Sequence, residues 1–313
     1  MTRPTPLGKS ASRREGRSLR ALRPSPLLDG IFCGAAAAAC WGAGFVAARH
    51  GVLIGLELVD IAFHRFVWTG LLLLPAVWRS GLRDLGGIGW GRGLIIALLA
   101  GPTQAIASAT GFTLTPLGHG AVIQPASAAL GGLLLASLVL GEYLSPSRAV
   151  GGAMIVAGLC VFGADALHTI GRQGVVGDVT FVGAGVAWAI FGTLLRYWRM
   201  EGRRAAAAVG ALSVLLYAPI YALIFGFARM ASVGLAENLL QIVAQGMLSG
   251  VLAIFLFARS AVLLGAGRAG VFPALVPGFA LAIGFVTIGE IPTLMQLIGF
   301  AVVMVGFRFV LKQ

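Results

Sequence analysis

The chain has 313 residues, a mean hydropathy of +0.93, 58% hydrophobic residues and only 11% charged ones. A soluble domain carries about 25% charged residues, so a water-facing surface of this size cannot be built and an ordinary soluble enzyme is excluded. The net charge of +12 would suit a nucleic-acid partner, but the 23 Lys and Arg sit in the N-terminal stretch and in short gaps between apolar runs. No nucleic-acid partner is expected, and the composition predicts a polytopic, all-α integral membrane protein.

In chain order, residues 1–28 form a tail rich in Ser, Pro and Arg, expected to be disordered and to lie against anionic headgroups. Gly30–Ala48 is an uncharged run of 19 residues, and Ile61–Trp78 runs for 18 with the single interruption of Arg65. Gly93–Gly141 holds 49 residues without a charge, far beyond the roughly 20 that a bilayer needs. It must fold back, with Thr115-Pro116-Leu117-Gly118-His119-Gly120 as the expected turn. Ala149–Ala164, Val179–Leu195, Ala205–Ala228, Asn238–Ala258, Ala269–Gly289 and Ile291–Phe307 follow, for ten spans in all. The first run is not expected to be a cleavable leader, since it is too long, no small-x-small cleavage site precedes a polar mature domain, and the next span follows within a short loop.

Lys and Arg set the orientation. With the N-terminus inside, the cytoplasmic segments hold 19 basic residues and the outer ones only Arg49, Arg172 and Arg229. An even span count places both termini in the cytoplasm of an inner membrane. Cys33, Cys40 and Cys160 all lie in apolar runs, which gives neither a disulfide framework nor metal-ligand spacing. No cofactor and no metal are expected.

A repeat appears at an offset of 148: Ala121, Pro125, Gly141, Glu142, Gly151 and Gly158 fall on Ala269, Pro273, Gly289, Glu290, Gly299 and Gly306. Trp41 matches Trp188 at an offset of 147. The chain thus divides into residues 29–164 and 178–308, five spans each, and an odd number inverts the second half relative to the first. Inverted repeats with interrupted helices are the pattern of secondary transporters.

These residues also carry a resemblance. The small-residue run Ala35–Gly42 ending in Trp-Gly, the His64-Arg65-Phe66 start of the second span, and the pattern Pro125…Gly141-Glu142…Gly151…Gly158 with its copy from Pro273 to Gly306 resemble EamA-type transporters of the drug/metabolite transporter superfamily. The resemblance covers residues 30–308 and implies ten helices in two inverted five-helix repeats, a central cavity and alternating access. The second copy departs from the first where Pro292 stands for Leu144 and Ala189 for Gly42.

Several side chains stand out. Arg65 lies about 6 Å into its span at 1.5 Å per residue, and intramembrane charges usually face a cavity or a partner. It either binds or gates an anionic solute, or it snorkels outward or pairs with Asp60 or Glu57. His64 is either a proton carrier or, the favoured reading, a hydrogen-bonded packing residue. Carboxylates fall at helix ends, and Glu142 and Glu290 recur where each caps a following helix. Trp41 and Trp188 lie near mid-span and suit a cavity for a partly apolar solute. Pro102, Pro125 and Pro273 permit kinks. Gln104, Ser108 and Gln124 line a polar path or bond between helices. Gly151/Gly158 and Gly299/Gly306 allow close helix approach, between the halves or in a homodimer.

The expected function is secondary transport, an exporter of small neutral, zwitterionic or anionic metabolites such as amino acids or nucleobases. A receptor-like or structural membrane protein is the alternative from another class. An intramembrane enzyme is disfavoured, since no His-Glu-x-x-His, Gly-x-Ser-x-Gly or paired intramembrane aspartate is present.

Overall fold

A computed structural model describes residues 26–114, 117–141, 143, 145–162, 172–289 and 291–311. Every long element among them is helical. The reason is the solvent: in hydrocarbon a backbone must satisfy its own N–H and C=O groups, and the helix does so within one segment. The first half comprises α1 (Pro26–Leu53), α2 (Leu58–Ser80), α3 (Trp90–Ala100), α4 (Pro102–Leu114), α5 (Leu117–Leu140) and α6 (Pro146–Phe162). The second comprises α7 (Arg172–Tyr197), α8 (Gly202–Ile224), the short α9 (Ala228–Val233), α10 (Leu235–Leu264), the one-turn α11 (Ala266–Ala269), α12 (Val276–Ile288) and α13 (Leu294–Leu311).

Six helices among the described residues are long and apolar enough to cross a membrane: α1, α2, α5, α7, α8 and α10. Shorter apolar helices cover Pro146–Val161, Phe272–Thr287 and Leu294–Val310. The long uncharged run is carried by three helices, α3, α4 and α5. Of its expected turn, Leu117–Gly120 belong to α5, and Thr115 and Pro116 lie outside the described residues. An unexpected break falls at Gly101-Pro102, where α3 stops and α4 starts, because Pro102 cannot donate to the preceding turn.

Pro125 is carried inside an unbroken α5, and Pro273 lies in a 3₁₀ turn, Phe272–Leu275, that leads into α12. α8 and α10 widen into π-helical turns over Ser213–Tyr217 and Ile242–Leu252. The α8 widening ends just before Pro219, a residue that removes one backbone donor. α7 begins at Arg172, so Asp178 lies within the helix and not ahead of it.

The packing repeats itself. α1 lies against α10 and α12, and its counterpart α7 lies against α4 and α5. α6 lies against α13, and the two backbones approach closely. A β-carbon on Gly151 would stand 2.7 Å from the Gly306 carbonyl oxygen, and one on Gly158 would stand 2.7 Å from that of Gly299. The lower number of one helix meets the higher number of the other, so the two run antiparallel. Around them Ile155, Leu159, Phe272, Val303 and Val310 form a fully buried cluster. The helices touch here because glycine removes the side chain that would hold them apart.

Candidate functional site

Trp41 of α1 and Trp188 of α7 touch. Their rings meet edge to face at 6.4 Å between centroids, with Phe257 at 5.4 Å from Trp41 and Phe191 at 5.3 Å from Trp188. Trp41 is buried and Trp188 half-buried. An edge-to-face pair is the favoured arrangement of aromatic quadrupoles.

A second group joins α4 to α5. Ser108 Oγ donates to the Gln104 carbonyl at 3.1 Å and is 3.0 Å from Gln124 Oε1, which accepts from it. Two of the three predicted polar residues are thus bonded through side chains, and Gln104 takes part through its backbone.

The third group, at the end of the bundle where α1 stops and α2 starts, is the richest in charge. Asp60 is fully buried. Its Oδ2 accepts from the Glu57 backbone N–H at 2.7 Å and from Arg229 Nε at 2.9 Å. Its Oδ1 accepts from Arg229 Nη2 at 3.2 Å and from the Tyr221 hydroxyl. Four donors occupy the carboxylate's four lone-pair sites. Arg229 also reaches Glu57 Oε1 at 3.4 Å, and its bond to Asp60 holds the guanidinium above its ordinary pKa. Nearby, His50 Nε2 lies 3.0 Å from Glu237 Oε2.

His64 lies one turn below Asp60 and is almost fully buried. Its partner is Asn238 Oδ1 at 3.2 Å. The orientation of that amide is fixed, since Asn238 Nδ2 donates to the carbonyls of Met230 at 2.6 Å and Gly234 at 2.7 Å. Only the oxygen is left to face the ring, so His64 Nε2 carries the proton. A neutral imidazole has a single N–H, so Nδ1 is a bare acceptor, and it is buried without a hydrogen-bond partner.

Arg65 is half-buried, with its guanidinium 6.0 Å from the centre of the Phe66 ring. Asp60 and Glu57, its expected partners, are both taken by Arg229. No ion pair to Arg65 is found among the described residues.

A feature not anticipated from sequence runs along the α1–α10 contact. Gln241 Nε2 donates to the Ala47 carbonyl at 2.7 Å, Gln245 Nε2 to Gly44 at 2.7 Å, and Ser249 Oγ to Cys40 at 2.9 Å. All three donors are buried. Their spacing of four is the only signal the sequence offers, together with Gly44 and Gly51, which make room. A β-carbon at Gly44 would lie 2.0 Å from Ser249 Oγ, and one at Gly51 2.8 Å from Gln241 Nε2.

The predicted site residues therefore gather in three places: Trp41 with Trp188, Ser108 with Gln124, and His64 with Arg65 at the charged end. Two surface grooves lie elsewhere, one beside Leu71, Leu74, Pro75 and Trp78 on α2 and one beside Gly278, Leu281 and Phe300. Neither touches a predicted site residue. Glu142 and Glu290 lie outside the described residues.

The sequence profile of the EamA-like transporter family matches the chain twice, over residues 28–164 and 175–312. The chain belongs to the EamA-like transporter family. The two matches coincide with the two halves of the internal repeat, and with the apolar helices they make the protein a multi-pass membrane protein of a transporter family. Among solved structures, a crystal structure of a protein 17% identical to this chain superposes with a TM-score of 0.72, covering 90% of this chain and 96% of its own. At that identity the likeness shows a shared fold alone. A search of curated proteins returns no match.

Proposed function

We propose that the protein exports small neutral, zwitterionic or anionic metabolites by alternating access, through ten spans in two inverted repeats. The observation that carries this reading is the meeting of repeat-equivalent residues. Trp41 touches its own counterpart Trp188, and Gly151 faces Gly306, the counterpart of Gly158. Such contacts are what a pseudo-two-fold axis in the membrane plane generates, and transporters of this kind bind solute near that axis.

The aromatic group at Trp41 and Trp188 takes the apolar part of the solute. Ser108 and Gln124 on one side, and His64 and Arg65 on the other, take its polar groups. Arg65 stays charged at all working pH values, so it favours solutes bearing a carboxylate or phosphate and disfavours cationic drugs. Both termini lie in the cytoplasm of the inner membrane, as the 19-to-3 basic asymmetry favours. Gly151, Gly158, Gly299 and Gly306 are occupied within one chain, so a homodimer would use other small-residue faces.

The test is efflux from sealed vesicles of purified protein loaded with a metabolite panel, run at pH 6 and pH 8. Retention of every solute tested by protein-containing and empty vesicles alike overturns the reading.

A further inference from the structure

The charged end of the bundle carries more than a salt bridge. α9 is a helix of six residues, bracketed by Gly226 at φ +66° and Gly234 at φ +86°. A β-carbon at either glycine would meet nothing within 4 Å. Space does not demand glycine there; the left-handed backbone does. Two positive-φ glycines thus bound α9, one at each end.

Phe227, whose ring meets Phe63 at 5.6 Å and Tyr221 at 5.5 Å, and Val233 pack this segment onto the bundle, and three further contacts tie it to the charged end. The Arg229 side chain grips Asp60 by two hydrogen bonds and touches Glu57. The Met230 side chain is buried among Leu56, Ile61, Phe63 and Tyr221. The Met230 carbonyl accepts from Asn238 Nδ2, whose other face accepts from His64. One amide thus reads the position of α9 and sets which ring nitrogen of His64 holds the proton.

We propose that α9 is a hinged lid over this end of the bundle, latched by Arg229 onto Asp60 and coupled through Asn238 to His64. With the lid down, His64 presents a bare Nδ1 acceptor inward, suited to a solute N–H or O–H. With the lid up, Asn238 loses the carbonyl of Met230 and keeps only that of Gly234, so its amide is held less firmly against His64 while Asp60 meets water. Lids of this size on glycine joints commonly seal a site from solvent and commit the solute. Asn238 is a positioning residue here and need not touch the solute. The inference rests on the transport reading for its purpose, but its test does not need transport.

The test uses the full chain with Cys33, Cys40 and Cys160 changed to Ser and a reporter Val67→Cys, a position buried in the same cluster as Met230. A membrane-impermeant maleimide is applied in detergent and from the α9 side of sealed vesicles. The latched protein should label slowly. Arg229→Gln and Asn238→Leu should each label about tenfold faster, as a shift in a two-state population requires, and Arg229→Lys should fall between, since it keeps the charge without the fork. If Arg229→Gln does not elute as a single folded species, Glu57→Gln removes only the outer half of the grip and should still raise the rate measurably. Equal rates in all folded variants overturn the lid, and in a protein that transports they leave the transport reading intact. Faster labelling in the latch variants supports the lid whatever the vesicles transport.

Discussion

At Asp60 four hydrogen bonds converge on one buried carboxylate. Removing a partner of such a pair costs more than the pair contributes, because a buried charge is left uncompensated. Arg229→Ala is therefore expected to destabilise the folded protein by roughly 3 kcal/mol. Asp60→Asn/Arg229→Gln should lose less than the sum of the single changes, a non-additivity read by thermal unfolding in detergent. His64 and Arg65 are adjacent but differ in what they offer. Efflux of anionic solutes should fall most in Arg65→Ala and recover only in part in Arg65→Lys, while His64→Gln keeps substantial efflux. Full activity in Arg65→Ala, with a pH-gradient dependence that His64→Gln abolishes, would reverse these roles. The tautomer of His64 is itself measurable. In ¹⁵N-histidine-labelled protein, one of the four histidines should show a protonated Nε2 and a bare Nδ1, and Asn238→Leu should erase that signature.

At the scale of elements, the legibility of the sequence follows the range of the forces involved. The apolar helices and the repeat are written in local composition, and the correspondence of Trp41 with Trp188 is read from the offset alone. Asp60 did not. Counting the second span from Ile61 left it outside, whereas α2 starts at Leu58 and holds it, and its partner Arg229 lies 169 residues away. The Gln241–Gln245–Ser249 ladder escaped for a related reason: its acceptors are α1 backbone carbonyls, which carry no residue identity. Close approach makes the ladder. Gly44→Ala should therefore cost folded yield by pressing on Ser249 Oγ, and Ser249→Ala in the same chain should restore part of it, because the nearest remaining atom is then Cβ at 3.0 Å. Gly132→Ala is the matched control, since nothing lies within 4 Å of its added methyl. Yield and monodispersity on size-exclusion chromatography separate the three.

For the whole molecule, charge fixes orientation where packing cannot. Reporter fusions placed after each of the ten expected spans should alternate in activity, with both ends of the chain cytoplasmic. A C-terminal fusion active only in the periplasm would sink that topology. Two span assignments depend most on this experiment: the one divided at Gly101-Pro102 and the one that begins at α5. Each half of the former is too short to cross a bilayer alone, 11 residues for α3 and 13 for α4, where about 20 are needed.

The crossing of α6 on α13 says something about ancestry. A surface on which Gly151 meets the copy of Gly158, and Gly158 the copy of Gly151, is self-complementary. It is the contact two separate half-length chains would make if one were threaded through the bilayer upside down. A half-length chain able to insert in either direction would carry both sides of this interface, and joining two copies would require only a linker and a charge bias. Residues 1–171 and 172–313, produced as two polypeptides in one cell, should find each other and rebuild the pair.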